Sequence, residues 1–145
     1  MKTHTLHFDG SCWPNPAGIA AFGYVLQGED LRLDKSGVIG TGPEMSNNLA
    51  EFYALAKGLE AYAENIGSGH LQVFGDSEMV IKMMNRVLRT QELKGNPDKL
   101  YYPAYEGAVE IMNTLLLRGT KIDFSWIPRE ENTVCDDLSK AHNNK

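Results

Sequence analysis

Leu6-His7-Phe8-Asp9-Gly10-Ser11 is the stretch on which the reading of this chain turns. Leu6 and Phe8 fall on one side of an alternating run over residues 3–9, and Thr5, His7 and Asp9 fall on the other. That is the two-residue period of a strand. The run closes on a carboxylate, and Cys12-Trp13-Pro14-Asn15-Pro16 follows, so the prolines predict irregular backbone over 12–18. An acid at a strand tip, with glycine and serine backbone beside it, is well placed to meet a ligand at the edge of a sheet.

The flanking sequence supplies the rest of that sheet. Ile19 to Leu26 is apolar on both faces, as a central strand requires. Gln27-Gly28-Glu29-Asp30 turns the chain back, and Leu31 to Ile39 forms a third, partly exposed strand of a hairpin. After a loop at Gly40-Thr41-Gly42-Pro43, Ser46 or Asn47 opens a helix. In it Leu49, Phe52, Tyr53, Ala56, Leu59 and Ala63 recur at three- and four-residue steps, and Ile66-Gly67-Ser68-Gly69 ends it. Leu71 to Asp76 is a fourth strand, again closing on an acid, and Ser77 opens a second helix carrying Val80, Ile81, Met84 and Val87. Residues 90–103 read as irregular. A third helix then carries Tyr105, Ala108, Val109, Met112 and Leu115 and stops at Arg118-Gly119. Met79, Met83, Met84 and Met112 read as core fillers.

Lys121 to Ile127 is a fifth strand, with Ile122, Phe124 and Trp126 on one face and Trp126 expected in the core. Pro128 breaks it. A last helix begins at Asn132, expected as its cap, and runs through Val134, Leu138 and Ala141 to a tail, 143–145, expected to fray. Strands alternate with helices in the second half, so right-handed crossovers should bring the later strands in parallel. The fold class expected is α/β: a five-stranded mixed sheet, three antiparallel strands then two parallel, with helices on both faces.

Composition sets the outer bounds. The 145 residues suit a single domain spanning 1–145, and 42% hydrophobic with 23% charged residues is ordinary for a globular chain. No apolar run approaches the roughly 20 residues of a membrane span. Met1-Lys2-Thr3-His4 lacks a signal-peptide core, so a cytoplasmic location without a membrane partner is expected. Cys12 and Cys135 lie far apart and are expected as free, packed thiols rather than a disulfide or a zinc site. A net charge of −5 argues against a protein that coats nucleic acid by charge alone. No segment signals oligomerisation, so a monomer is expected.

Four acids stand in comparable settings. Asp9 and Asp76 close strands, Glu51 lies one turn into the first helix on the face of Asn47 and Asn48, and Asp136 lies in the first turn of the last helix. Each has a plain alternative: Asp9 and Asp76 as turn formers, Glu51 as a solvated helix residue, Asp136 or Asp137 as a complement to the helix dipole. If the four converge, the chemistry that needs them is divalent metal binding. Mg2+ takes oxygen ligands and keeps waters, and two such ions serve both ends of a phosphoryl displacement. Without a cation, clustered carboxylates raise one another's pKa.

Set in order, Phe8-Asp9-Gly10-Ser11 with Asn15-Pro16 and Gly18, Asn47-Asn48-x-x-Glu51, Gly75-Asp76-Ser77, and Trp126-x-Pro128-Arg129-Glu130-x-Asn132-x-x-Cys135-Asp136-x-Leu138 resemble type 1 ribonuclease H over residues 3–142. The resemblance implies a ribonuclease H-like fold and hydrolysis of the RNA strand of RNA–DNA hybrids to 5′-phosphate and 3′-hydroxyl products. It implies two Mg2+ ions with substrate, Mn2+ substituting, and Asp9, Glu51, Asp76 and Asp136 as catalytic metal ligands, with Glu51 also orienting groups near the 2′-hydroxyl. Asp136 is favoured over Asp137 by the match of Asn132, Cys135 and Leu138. Gly10, Ser11, Asn47 and Asn48 match positions that meet the RNA strand, and Asn15 and Ser46 match positions that hold a DNA phosphate.

Three departures stand out. In place of a long basic handle, residues 86–99 set Arg86, Arg89, Lys94 and Lys99 against Glu92 and Asp98, a net of +2. Pro128-Arg129-Glu130-Glu131 holds no proton-shuttling histidine, and His142 is the nearest one in sequence. Glu78 stands where many members carry glutamine, and a carboxylate cannot donate to a base edge. The rival readings are a non-catalytic hybrid-binding module, which usually lacks one of the acids, and another nuclease of the same fold.

Overall fold

The computed structural model describes residues 1–141; His142 and the tail 143–145 lie outside the described residues. Five strands, β1 (Thr3–Trp13), β2 (Ile19–Gln27), β3 (Arg32–Thr41), β4 (His70–Gly75) and β5 (Lys121–Trp126), form one sheet of order β3-β2-β1-β4-β5. The first three pair antiparallel, and β4 and β5 join β1 in parallel. This is the mixed sheet that the order of elements implied.

The central strand departs from expectation in a way that matters. β1 does not stop at Asp9 but continues to Trp13, because β2 keeps pairing with it through Ser11, Cys12 and Trp13. On its other side the β4 ladder ends at His7 opposite Phe74. Asp9 is therefore inside a strand on one side and at a sheet edge on the other. Gly40 and Thr41, expected in a loop, likewise extend β3.

Four helices cover this sheet: α1 (Asn47–Asn65), α2 (Glu78–Thr90), α3 (Tyr102–Leu117) and α4 (Thr133–Lys140). Ser46 caps α1 by accepting the Leu49 N–H at 3.1 Å, and Ser77 caps α2 through Val80. Helix α1 lies so close to β1 that a Cβ on Gly58 would stand 2.6 Å from a Leu6 methyl. One buried cluster joins Leu6 and Phe8 to Leu55, Met84, Tyr105 and Met112, so the first three helices share one face. On the opposite face α4 rests on Gly23, where a Cβ would meet Leu138 at 2.6 Å.

Two residues correct the sequence reading. Trp126 is not in the core: it ends an edge strand, is 47% exposed, and its indole N–H donates to the Asp76 carbonyl at 3.0 Å. Strand alternation assigns a face, but it does not say whether anything covers the last residue of the strand. Asn132 precedes α4 as expected but makes no side-chain cap.

Candidate metal centre

The acids are brought together by three different elements. Asp9 comes from β1, Glu51 from the second turn of α1, and Asp76 from the residue after β4. One carboxylate oxygen from each lies within 4.8 Å of the others. The approach depends on Gly10, since a Cβ there would fall 2.1 Å from the Ala50 carbonyl carbon. With no side chain at that position, the backbones of α1 and β1 come close enough for the two acids to meet. The Gly10 N–H donates to Asp9 Oδ1 at 2.9 Å and to Glu51 Oε1 at 3.2 Å, so it points into the cluster.

Burial sets the electrostatics. Asp9 is 4% and Glu51 8% exposed, and Glu51 Oε2 finds no hydrogen-bond partner among the described residues. Burial pushes the Asp9 carboxyl up to about 7; a hydrogen bond with Glu51 opposes this, and the charges of Asp76 and Asp136 add to it. Glu51 is raised well above the usual carboxylate range, by burial first and then by Asp9. Burial also raises Asp76, with Asn132 and Arg129 opposing. Three acids with raised pKa values and a buried, unpartnered carboxylate oxygen fit a hard divalent cation. An oxygen-only donor set suits Mg2+ or Mn2+ better than a thiol-seeking metal.

Asp136 stands apart. It lies on α4 beside the cluster, and both its oxygens are engaged: Arg129 donates at 3.2 Å, and Lys140 lies 3.1 Å from Oδ1 and 3.2 Å from Oδ2. Partial burial pushes its pKa up, but Lys140, a hydrogen bond with Asp9, and Arg129 outweigh that and hold it below the ordinary value. Lys140 at the i+4 position is a partner that helix spacing alone reveals. Arg129 comes from the single 3-10 turn Arg129–Glu131 before α4, and spacing alone could not place it. Asn132 was also missed as a site residue. It is buried, and its Nδ2 donates to the Phe8 carbonyl at 2.9 Å, which ties the start of α4 to the strand carrying Asp9.

The cluster opens into a cleft of about 500 Å³ also lined by Gly10, Ser11, Trp13, Asn47 and Asn48. Two amides in this region have their orientation set by their donors. The Cys12 N–H donates to Asn47 Oδ1 at 2.8 Å, and the Asn47 N–H donates to Asn15 Oδ1 at 3.0 Å. A backbone N–H only donates, so each amide oxygen faces inward and each NH2 is left for an acceptor outside. The Ser11 hydroxyl donates to the Ser139 carbonyl at 2.7 Å. Ser46 uses its oxygen as the α1 cap. Cys12 and Cys135 are buried free thiols, as expected; burial pushes Cys135 up to about 12, so it remains a neutral packing group.

Residues 7–142 match the reverse transcriptase-like family. The chain belongs to this family. The fold is that of type 1 ribonucleases H. RNase H1 of the halophilic archaeon Halobacterium salinarum is 27% identical, with 99% of each chain covered and a TM-score of 0.73. LC11-RNase H1, solved with an RNA/DNA hybrid, is 26% identical over 93% of this chain and 92% of that one, with a TM-score of 0.72. Among curated proteins, bifunctional protein Rv2228c of Mycobacterium tuberculosis is 28% identical over 128 residues, which are 87% of this chain. The chain spans 31% of the length of that relative. Among the described residues no helix is long and apolar enough to cross a membrane.

Proposed function

We propose that this domain is a divalent-metal-dependent ribonuclease H that cuts the RNA strand of RNA–DNA hybrids, using Asp9, Glu51, Asp76 and Asp136. The observation that carries this reading is the meeting of Asp9, Glu51 and Asp76 within 4.8 Å, with a Glu51 oxygen that no group among the described residues satisfies. The family match and the hybrid-bound LC11-RNase H1 support the substrate class.

In this reading Asp9, Glu51 and Asp76 would hold Mg2+, or Mn2+ in its place, and Asp136, beside them, would be available to a second ion. Such ions lower the pKa of a bound water and stabilise charge on a departing oxygen. Water gives up one proton as its oxygen bonds to phosphorus, the P–O3′ bond breaks, and the 3′-oxygen takes up one proton, leaving 5′-phosphate and 3′-hydroxyl ends. The chain's own part is to position the substrate. Asn47 and Asn48 present amides toward 2′-hydroxyls in the minor groove, beside Gly10 and Ser11. The outward NH2 of Asn15 and the Ser46 hydroxyl suit a phosphate of the DNA strand. Arg129 and Lys140, beside the acids, offset their repulsion of a polyanion.

The test is cleavage of a labelled hybrid beside single-stranded RNA, duplex RNA and duplex DNA, with and without Mg2+. Cleavage of the hybrid's RNA strand that chelator abolishes is expected. Activity that survives chelator, or that treats the hybrid like the other three, would overturn the reading.

A further inference from the structure

Trp13 is a large side chain at the cleft that the reaction above leaves unused. It is 66% exposed, although an indole is among the most valuable groups to bury. Its backbone is tightly held. Trp13 pairs with Ile19 at the end of the β1–β2 ladder, and the preceding Cys12 N–H is fastened to Asn47. Gly18 packs so closely that a Cβ there would lie 2.1 Å from the Trp13 carbonyl carbon. A small apolar cluster of Cys12, Ala20 and Ala50, with Ile39 and Met45 against it, lies just behind, yet the indole remains largely in solvent. A rigid strand end therefore holds the ring at the rim of the acid-lined cleft.

The ring's neighbours narrow what it can meet. In the chain it stands between Cys12, anchored to Asn47, and Asn15, anchored to the Asn47 N–H. Both amides turn NH2 groups outward, suited to hydroxyl and phosphate oxygens. In the cleft shared with Asn47 and Asn48 the indole offers a flat, apolar face. The partner that fits is an apolar sugar edge flanked by acceptors. A 2′-deoxyribose presents such an edge, whereas a ribose 2′-hydroxyl laid on the ring face itself would lose its water without gaining a partner there.

We propose that Trp13 is a substrate-contacting specificity residue whose indole packs on a deoxyribose of the DNA strand, in the minor groove between the Asn47 and Asn15 amides. The proposal rests on the hybrid reading above. It makes Trp13 a sensor of the DNA strand, separate from the groups expected to read the RNA strand.

The test uses the full chain carrying Asp9→Asn, to suppress cleavage, in Mg2+. Binding of a fluorescein-labelled hybrid and of a duplex RNA of the same sequence is followed by anisotropy, and tryptophan emission is read in parallel with unlabelled duplexes. Adding Trp13→Ala should weaken hybrid binding about 5- to 20-fold, the range of a lost aromatic contact to one nucleotide. Duplex RNA binding should change less than twofold. Trp13→Phe, which keeps an apolar ring, should hold hybrid affinity within about twofold and abolish the emission change on binding; it also serves if the alanine variant does not fold. Equal losses for both duplexes, or saturating anisotropy with unchanged emission, would overturn the Trp13 assignment. No hybrid binding by the Asp9→Asn protein, together with no cleavage by the unmodified chain, would instead overturn the ribonuclease H reading.

Discussion

Asp9 and Asp136 are carboxylates of the same cleft, and the protein treats them in opposite ways. Asp9 is buried with Glu51, beside a half-buried Asp76; among the described residues no cationic side chain is hydrogen-bonded to it, and its pKa is raised to about 7. Asp136 is partly exposed, clasped by Arg129 and Lys140, and its pKa is lowered. The difference separates an acid cluster whose donors fit a cation from outside from an acid whose charge Arg129 and Lys140 already offset. Under the proposed function, the three-acid cluster would be the primary cation site, and Asp136 would join it only at the expense of its ion pairs with Arg129 and Lys140.

The largest break in that comparison is Asp9→Asn. Removing a ligand from the cluster should lower kcat by at least about 10³-fold, roughly 4 kcal/mol of transition-state stabilisation. The same change relieves repulsion in the metal-free protein, so the unfolding midpoint in EDTA should rise by several degrees. Loss of activity together with loss of metal-free stability would mean that Asp9 is structural.

The second test is pH. The Asp9 pKa of about 7 in the folded state lies above its ordinary 3.8, so the folded state keeps a proton that the unfolded chain releases. The stability this contributes is full below about pH 4 and is lost as pH rises to 7, by up to about 4 kcal/mol. Asp136 has the opposite sign, and its contribution is lost as pH falls through its lowered pKa. Urea unfolding in EDTA from pH 4.5 to 7.5 should therefore show falling stability, and millimolar Mg2+ should flatten the slope. A slope unaffected by Mg2+ would show that the cluster does not take the cation.

Asn132→Ala is expected to cost about 1–3 kcal/mol in urea unfolding, because it removes a buried hydrogen bond to the Phe8 carbonyl. It should also raise the Asp76 pKa, which Asn132 holds down. The smallest effect is reserved for Lys140→Gln. A partly exposed i,i+4 pair contributes under about 1 kcal/mol to stability. Carboxyl NMR should show the Asp136 pKa moving up toward those of the cluster, which would erase part of the contrast.

Much of this was legible in the residues. Alternation in β1, the continuous apolar run of β2 and the three- and four-residue spacing in the helices carry the element types, and the order of those elements carries the mixed sheet. Asp9, Glu51 and Asp76, the acids that meet, were singled out through their surrounding motifs, whereas Lys140, one helical turn from Asp136, was not. Trp126 was misread because period-2 alternation assigns a face without saying whether the end of an edge strand is covered. Asn132 was misread because a cap residue and a clamp to β1 look alike in sequence, and only the position of Phe8 tells them apart.

The sequence by itself determined which elements form, their order, and which acids were available. Tertiary structure alone decided that Asp9 is buried where the β4 ladder has ended, that Gly10 lets Glu51 reach it, and that Asp136 is neutralised while the other three are not. The physical reason is range. Backbone propensity and side-chain period are set by neighbours in the chain. Burial, desolvation and charge pairing depend on groups that folding brings in from as far as residue 140.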